Sequence, residues 1–277
     1  MELKIVSDDE LTKRIDHQIR NVFHIAFEEN QLLELGKSYQ ANIHHGMQHT
    51  KDLIALSKQL IFKLKKEEEI DWKVLTISII LHDLFAEQDI YNKTTITHGK
   101  KSVDFFNTNF KSYFSVEQCK KVEEAISTHD EKSTEYLNYR ESLCLESKIL
   151  YDVDNLDAFG VKGFYRYVAI YQLKGIPFDH ILGNVENRFR LLNFNESKEI
   201  GRVEYERITC LCKNYNSSRD REVSFIISFI ALYPSISPSK IAIEALLLPA
   251  YLPGSWDNRG TFHKYFEELY QIYSKKN

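Results

Sequence analysis

Along most of the chain, apolar residues return every three or four positions, the period of a helix with one face buried. That spacing predicts helices over 9–35, 46–67, 72–88, 98–110, 116–130 and 141–158. Further helices are predicted over 161–174, 178–191, 196–215, 219–232, 238–248 and 260–274. The stretch ESKILYDVD has contiguous apolar residues and also fits a short strand. Its charged flanks and the lack of strand partners favour a helix. Ten Gly and five Pro in 277 residues leave few turns, which points the same way. The expected fold class is all-α. One soft boundary stands near residue 216, where NSSRDRE gives way to an aromatic and aliphatic stretch holding Pro234, Pro238, Pro249 and Pro253. A main domain over 1–215 and a helical C-terminal extension over 216–277, packed on it, are expected. The extension can equally form an interface, so a homo-oligomer stays open.

One segment breaks the amphipathic rule. VLTISIILHDLF is apolar on nearly every side, so a helix built from it belongs in the core. Yet it carries His82 and Asp83 side by side. A lone ionised carboxylate in an apolar core is very costly unless it is paired or bound to a cation. Neighbours on a helix point about 100° apart and do not readily pair with each other. Both can reach a cation lying between their directions, and imidazole and carboxylate are natural ligands of divalent metals. The plainer reading is a core histidine held by a hydrogen bond to its neighbour's carboxylate. The metal reading requires more ligands, and the chain offers them. HHGMQHTKDLI puts His45 and His49 one turn apart, THGKKS places His98 at a helix head, and AISTHDE closes a segment with His129. ILYDVDNLDAFG adds Asp152, Asp154 and Asp157 in an apolar setting.

Charge and composition narrow the partners. Net charge is −4 with acids and bases interspersed, so the basic face of a general nucleic-acid binder is not expected. A small phosphorylated ligand stays open, since it needs only a few cations or a metal. Cys119, Cys144, Cys210 and Cys212 lack the paired spacing of a zinc knuckle and read as buried small hydrophobes. No run approaches the roughly 20 apolar residues that span a bilayer. MELKIVSDDELTKRID is charged from its start. A cytoplasmic protein with reduced thiols and no membrane association is the expectation.

The order of these ligands resembles the HD-domain superfamily of metal-dependent phosphohydrolases. Its pattern is an isolated His, a His-Asp pair and a distal Asp, each on a helix. His49 matches the first, with Leu53 a turn later. His82 and Asp83 match the pair, and Asp154 matches the distal Asp. DVDNLDAFGVKGF is similar to the DADRLDALGAIG stretch of small bacterial members, and LLNFNESKEIGRVEYERI resembles their closing helix. The likeness runs from about residue 40 to 212. His98 and His129 match two histidines that bind a second metal or the substrate phosphate in a subset of the superfamily. Asn155 departs from the pattern, because many members carry a Lys or Arg there. Lys100, Lys101, Lys132 and Lys162 are the candidates to take its place.

The resemblance implies an HD-domain helical bundle that hydrolyses a phosphoester or phosphoanhydride, most closely of a nucleotide. His49, His82, Asp83 and Asp154 would hold one divalent ion, and Asp83 could bridge to a second. Asp152 is a candidate water-activating base or supporting partner, and Asp157 a candidate to cap or orient. Ligands without thiolate suit Mn²⁺, Fe²⁺, Co²⁺ or Zn²⁺, with Mg²⁺ possible. Phe85, Tyr91, Phe159 and Tyr165 can stack on a base or simply fill core. Two rival readings fit the same residues. One is a catalytically silent HD module that binds a nucleotide or partner protein. The other reads DVDNL as the nucleophile stretch of a haloacid-dehalogenase phosphatase, which would need alternating strands and helices. A calcium loop fails because the Gly and terminal Glu positions of DVDNLD do not fit.

Overall fold

The computed structural model describes residues 8–26, 47–86, 97–160, 163–164, 166–167, 171, 176–177 and 179–214. Nine α-helices lie among them: α1 (Asp8–His24), α2 (Met47–Leu64), α3 (Trp72–Leu81), α4 (His98–Asn109) and α5 (Val116–Thr128), then α6 (Tyr136–Tyr139), α7 (Leu145–Asp157), α8 (His180–Leu191) and α9 (Asn195–Asn214). No strand occurs among the described residues, so the all-α expectation holds and ESKILYDVD is helical within α7. The helices expected beyond residue 215, and with them the C-terminal extension, lie outside the described residues. The chain divides into two compact units, Met1–Asp157 with Leu191–Ile200, and Ala158–Arg190 with Gly201–Asn277.

The oily segment is the axis of the first unit. Val74, Ile77, Ile80, Leu81 and Leu84 join α1, α4 and α5 in one apolar cluster around Phe106, Phe110, Val122 and Ile126. The other side of the same helix, Trp72, Leu75 and Ile79, joins Leu53, Leu60 and Ile61 of α2 and Ile149, Leu150 and Val153 of α7 in a second. A helix with core on both sides needs no polar face, which is why its pattern showed none. Each of these side chains gains about 1.5–3 kcal/mol from burial.

Local chemistry sets where the helices begin. The Asp71 carboxylate accepts from the Lys73 and Val74 amides at 3.0 and 3.2 Å, capping α3. It also accepts from Gln118 Nε2 at 2.8 Å, tying the head of α3 to that of α5. Gln118 belongs to a capping box with Ser115, each side chain bonding the other's amide. α2 ends at Lys65, whose φ of 56° is left-handed. There the Lys65 and Lys66 amides bond the Phe62 and Ile61 carbonyls, the two bonds of a Schellman cap.

The helix expected over 72–88 is corrected in one respect: α3 stops at Leu81, and His82–Phe85 form a turn. The reason is His82 itself. Its ring Nδ1 donates to the Ile79 carbonyl at 2.9 Å, the carbonyl a continuing helix would give to the Asp83 amide. The Asp83 carbonyl then takes Ala86 N at 3.0 Å. The His-Asp pair therefore sits at a helix end rather than inside a helix.

Candidate metal centre

His129 repeats the device of His82. It caps the C-terminus of α5, and its Nδ1 donates to the Ile126 carbonyl at 2.6 Å. Both rings are buried, at 1% and 3% exposure, and both turn Nε2 inward. His49 enters from the first turn of α2, with Nδ1 donating to the Asp157 carboxylate at 2.8 Å. His98 opens α4 behind the Thr97 cap. Asp154 comes from α7, whose core face fixes its aim.

These side chains converge in the first unit as two groups sharing Asp83. His49, His82, Asp83 and Asp154 form the first, and Asp83, His98 and His129 the second. In each group the ligand atoms lie within 4.8 Å of one another. Asp83 serves the groups with different oxygens. Its Oδ2 lies 3.2 Å from His82 Nε2 and 3.8 Å from His49 Nε2. Its Oδ1 lies 3.2 Å from His98 Nε2 and 3.3 Å from His129 Nε2. Asp154 Oδ1 is 3.6 Å from His49 Nε2 and 3.9 Å from His82 Nε2. Donors about 2.0–2.2 Å from a common ion stand roughly 3–4.3 Å apart, so the spacing fits a cation in each group.

Protonation makes the same point. A carboxylate or carbonyl at Nδ1 requires that nitrogen to carry the hydrogen, so the neutral rings of His49 and His82 present lone pairs at Nε2. Those two atoms face each other across 3.4 Å. Two lone pairs repel, and the arrangement is favourable only with a proton or metal ion between them. Burial opposes charge on His82, but the Asp83 and Asp154 carboxylates outweigh it and push its pKa up to about 10. The site asks for positive charge. A divalent ion bound by imidazole and carboxylate supplies it.

The remaining expected residues are placed differently. Asp152 is fully buried but belongs to neither group. Its Oδ1 accepts from the Asn193 amide and side chain, both at 2.8 Å, and its Oδ2 from the Phe194 amide at 3.1 Å. Burial, partly offset by the Asn193 and Phe194 amides, raises its pKa to about 6. Through these bonds Asp152, expected as a water-activating base or supporting partner, anchors the segment ahead of α9. Lys100 is exposed and Lys101 half-buried in the first turn of α4, beside His98 in sequence. Lys132 pairs with Asp130. Asn155 turns back onto its own helix, donating to the Tyr151 carbonyl at 2.7 Å. Phe85 packs against the core and Phe159 sits against Phe189 and Tyr205. His45, Lys162, Tyr91 and Tyr165 lie outside the described residues. Asp157 is the participant the sequence marked least clearly, since its partner His49 is 108 residues away. None of the four cysteines forms a disulfide and none belongs to either group. No helix among the described residues is long and apolar enough to cross a membrane.

No family model, no curated protein and no solved structure matches this chain. The helical chain and its buried His/Asp cluster, which could hold a metal, are compatible with an HD-type fold.

Proposed function

We propose that the chain is an HD-type, metal-dependent phosphohydrolase that cleaves a phosphoester or phosphoanhydride of a nucleotide. The observation that carries this reading is the pair of inward-facing Nε2 atoms beside two buried carboxylates, an arrangement that calls for positive charge and offers ligands to a divalent ion. A bound divalent ion supplies Lewis acidity, polarising a phosphoryl oxygen and lowering the pKa of a water toward neutrality. His49, His82, Asp83 and Asp154 would hold one ion, and Asp83, His98 and His129 would hold a second. The shared Asp83 carboxylate fixes the distance between the two groups, which suits clamping the attacking and leaving oxygens of one phosphoryl group.

The chain's own residues set the direction of approach. His98 is the most exposed of the four imidazoles, with 15% of its side chain open, against 2–3% for the others. Substrate therefore reaches the cluster from the α4 side. There the amino end of α4 and the exposed Lys100 add positive potential for phosphate. The apolar clusters behind α3 keep water from the rear of the site. Nucleotide as the substrate class rests on the likeness of DVDNLDAFGVKGF to small nucleotide-hydrolysing members.

The test is a panel of nucleoside mono-, di- and triphosphates, cyclic dinucleotides and dinucleoside polyphosphates with Mn²⁺, run on wild type and Asp83→Ala. At least one substrate should release product, and the variant should lose about 1000-fold or more, equivalent to roughly 4 kcal/mol of transition-state stabilisation. Equal turnover by both proteins on every substrate refutes the proposal. Metal uptake without turnover would instead favour the silent binding module.

A further inference from the structure

The imidazoles differ in how their outer nitrogens are held. His82 and His129 give Nδ1 to carbonyls three residues back in their own helices, so their tautomers follow from local backbone. His49 depends on a side chain from another helix. Asp154 and Asp157 stand one turn apart on α7 and therefore on one face. They bracket the His49 ring, with Asp154 Oδ1 3.6 Å from Nε2 and Asp157 Oδ2 2.8 Å from Nδ1. The His49 and Asp157 side chains are 3% and 7% exposed, so water competes weakly for the bond. The α2–α7 core of Leu53, Ile149 and Val153 holds the two helices in this register.

We infer that Asp157 is a positioning residue of the centre: it fixes His49 as the Nδ1–H tautomer and aims Nε2 at the ion position. The inference rests on the metal-centre reading above. A carboxylate behind a ligating imidazole sets ring orientation and raises basicity, and losing it typically weakens metal binding about 10–100-fold. The outer bonds of His82 and His129 go to main-chain carbonyls and cannot be deleted by substitution at their acceptors. Asp157, by contrast, is a side chain, so its support of His49 is open to mutation.

The experiment compares wild type, Asp157→Ala and Asp157→Asn, each stripped of metal and titrated with Co²⁺ and Zn²⁺ against a chromophoric chelator. Circular dichroism and melting of the metal-free proteins run alongside. Asp157→Ala should keep its helical signal, bind about 10–100-fold more weakly and show an altered Co²⁺ visible band. Asp157→Asn should recover most of the affinity, because its amide oxygen still accepts from Nδ1–H. Folded Asp157→Ala with wild-type affinity overturns the inference while leaving the metal centre intact. So does Asp157→Asn binding no better than Asp157→Ala. Wild type that takes up neither ion overturns both. Should Asp157→Ala fail to fold, long-range ¹H–¹⁵N spectra of zinc-loaded wild type decide: hydrogen on His49 Nδ1 is expected, and hydrogen on Nε2 overturns the assignment.

Discussion

At Ile79 and Ile126 the carbonyl that a longer helix would give to the next amide goes instead to an imidazole. One side chain thereby ends the helix, selects its own tautomer and presents the other nitrogen to the cluster. Asp152 shows the opposite case, a buried acid near the site in sequence but bonded away from it. Asp152→Asn would turn an amide N–H₂ toward a backbone N–H, since the carboxylate accepts from both Asn193 and Phe194. We expect a loss of about 1–3 kcal/mol in denaturant melts with metal stoichiometry unchanged. A variant that melts like wild type yet loses metal would restore Asp152 to the centre. Cys144 gives a pH-dependent check away from the ligands. Burial pushes its thiol up to about 12, the Glu124 carboxylate adding to the rise. Native Cys144 should therefore resist alkylation at pH 8, where roughly one thiol in 10⁴ is ionised, while exposed Cys210 reacts. Between pH 9 and 12 the unfolded chain releases this proton and the native chain holds it, so its contribution is present below 9 and lost as pH rises through 12. Mass mapping after a short pulse of iodoacetamide at pH 8 reads the reactivity.

Among elements, the helices were visible because burial imposes a period, and α3 because it lacks one. Its ends were not visible in the same way. The stop at Leu81 depends on a ring-to-carbonyl bond, which no hydropathy pattern encodes, so the expected helix ran on to 88. Ligand order was readable because His82, Asp83 and Asp154 sit in apolar runs where charge is out of place, and His49 completes the order that the resemblance expects. The Asp157 bond to His49 was not, because register between α2 and α7 comes from the packing of Leu53, Ile149 and Val153 rather than from either helix alone. The short α6 was missed outright, four residues being too few to show a period. The left-handed Lys65 at the end of α2 offers a test of this level of description. A side chain there strains the backbone where Gly would not, so Lys65→Gly should stabilise the fold by about 1 kcal/mol in urea or thermal denaturation. A loss of stability would mean the cap does not form as described.

At the scale of the whole chain, the net charge of −4 fits the proposal of a small anion held through a cation. A cluster that needs positive charge also links stability to metal. An ion that binds only the native chain adds about 2.7 kcal/mol at a hundredfold excess over its Kd, some 5–10 °C in a unit of this size. Mn²⁺ or Co²⁺ should raise the melting temperature of metal-stripped protein by that order, and Asp83→Ala should not respond. The most direct measurement is elemental analysis of protein purified without chelators and then dialysed against Mn²⁺, with Asp83→Ala in parallel. One to two divalent transition ions per wild-type chain are expected, with a clear loss in the variant. Well under one ion per chain in the wild type, both as purified and after dialysis, would contradict the metal-centre reading.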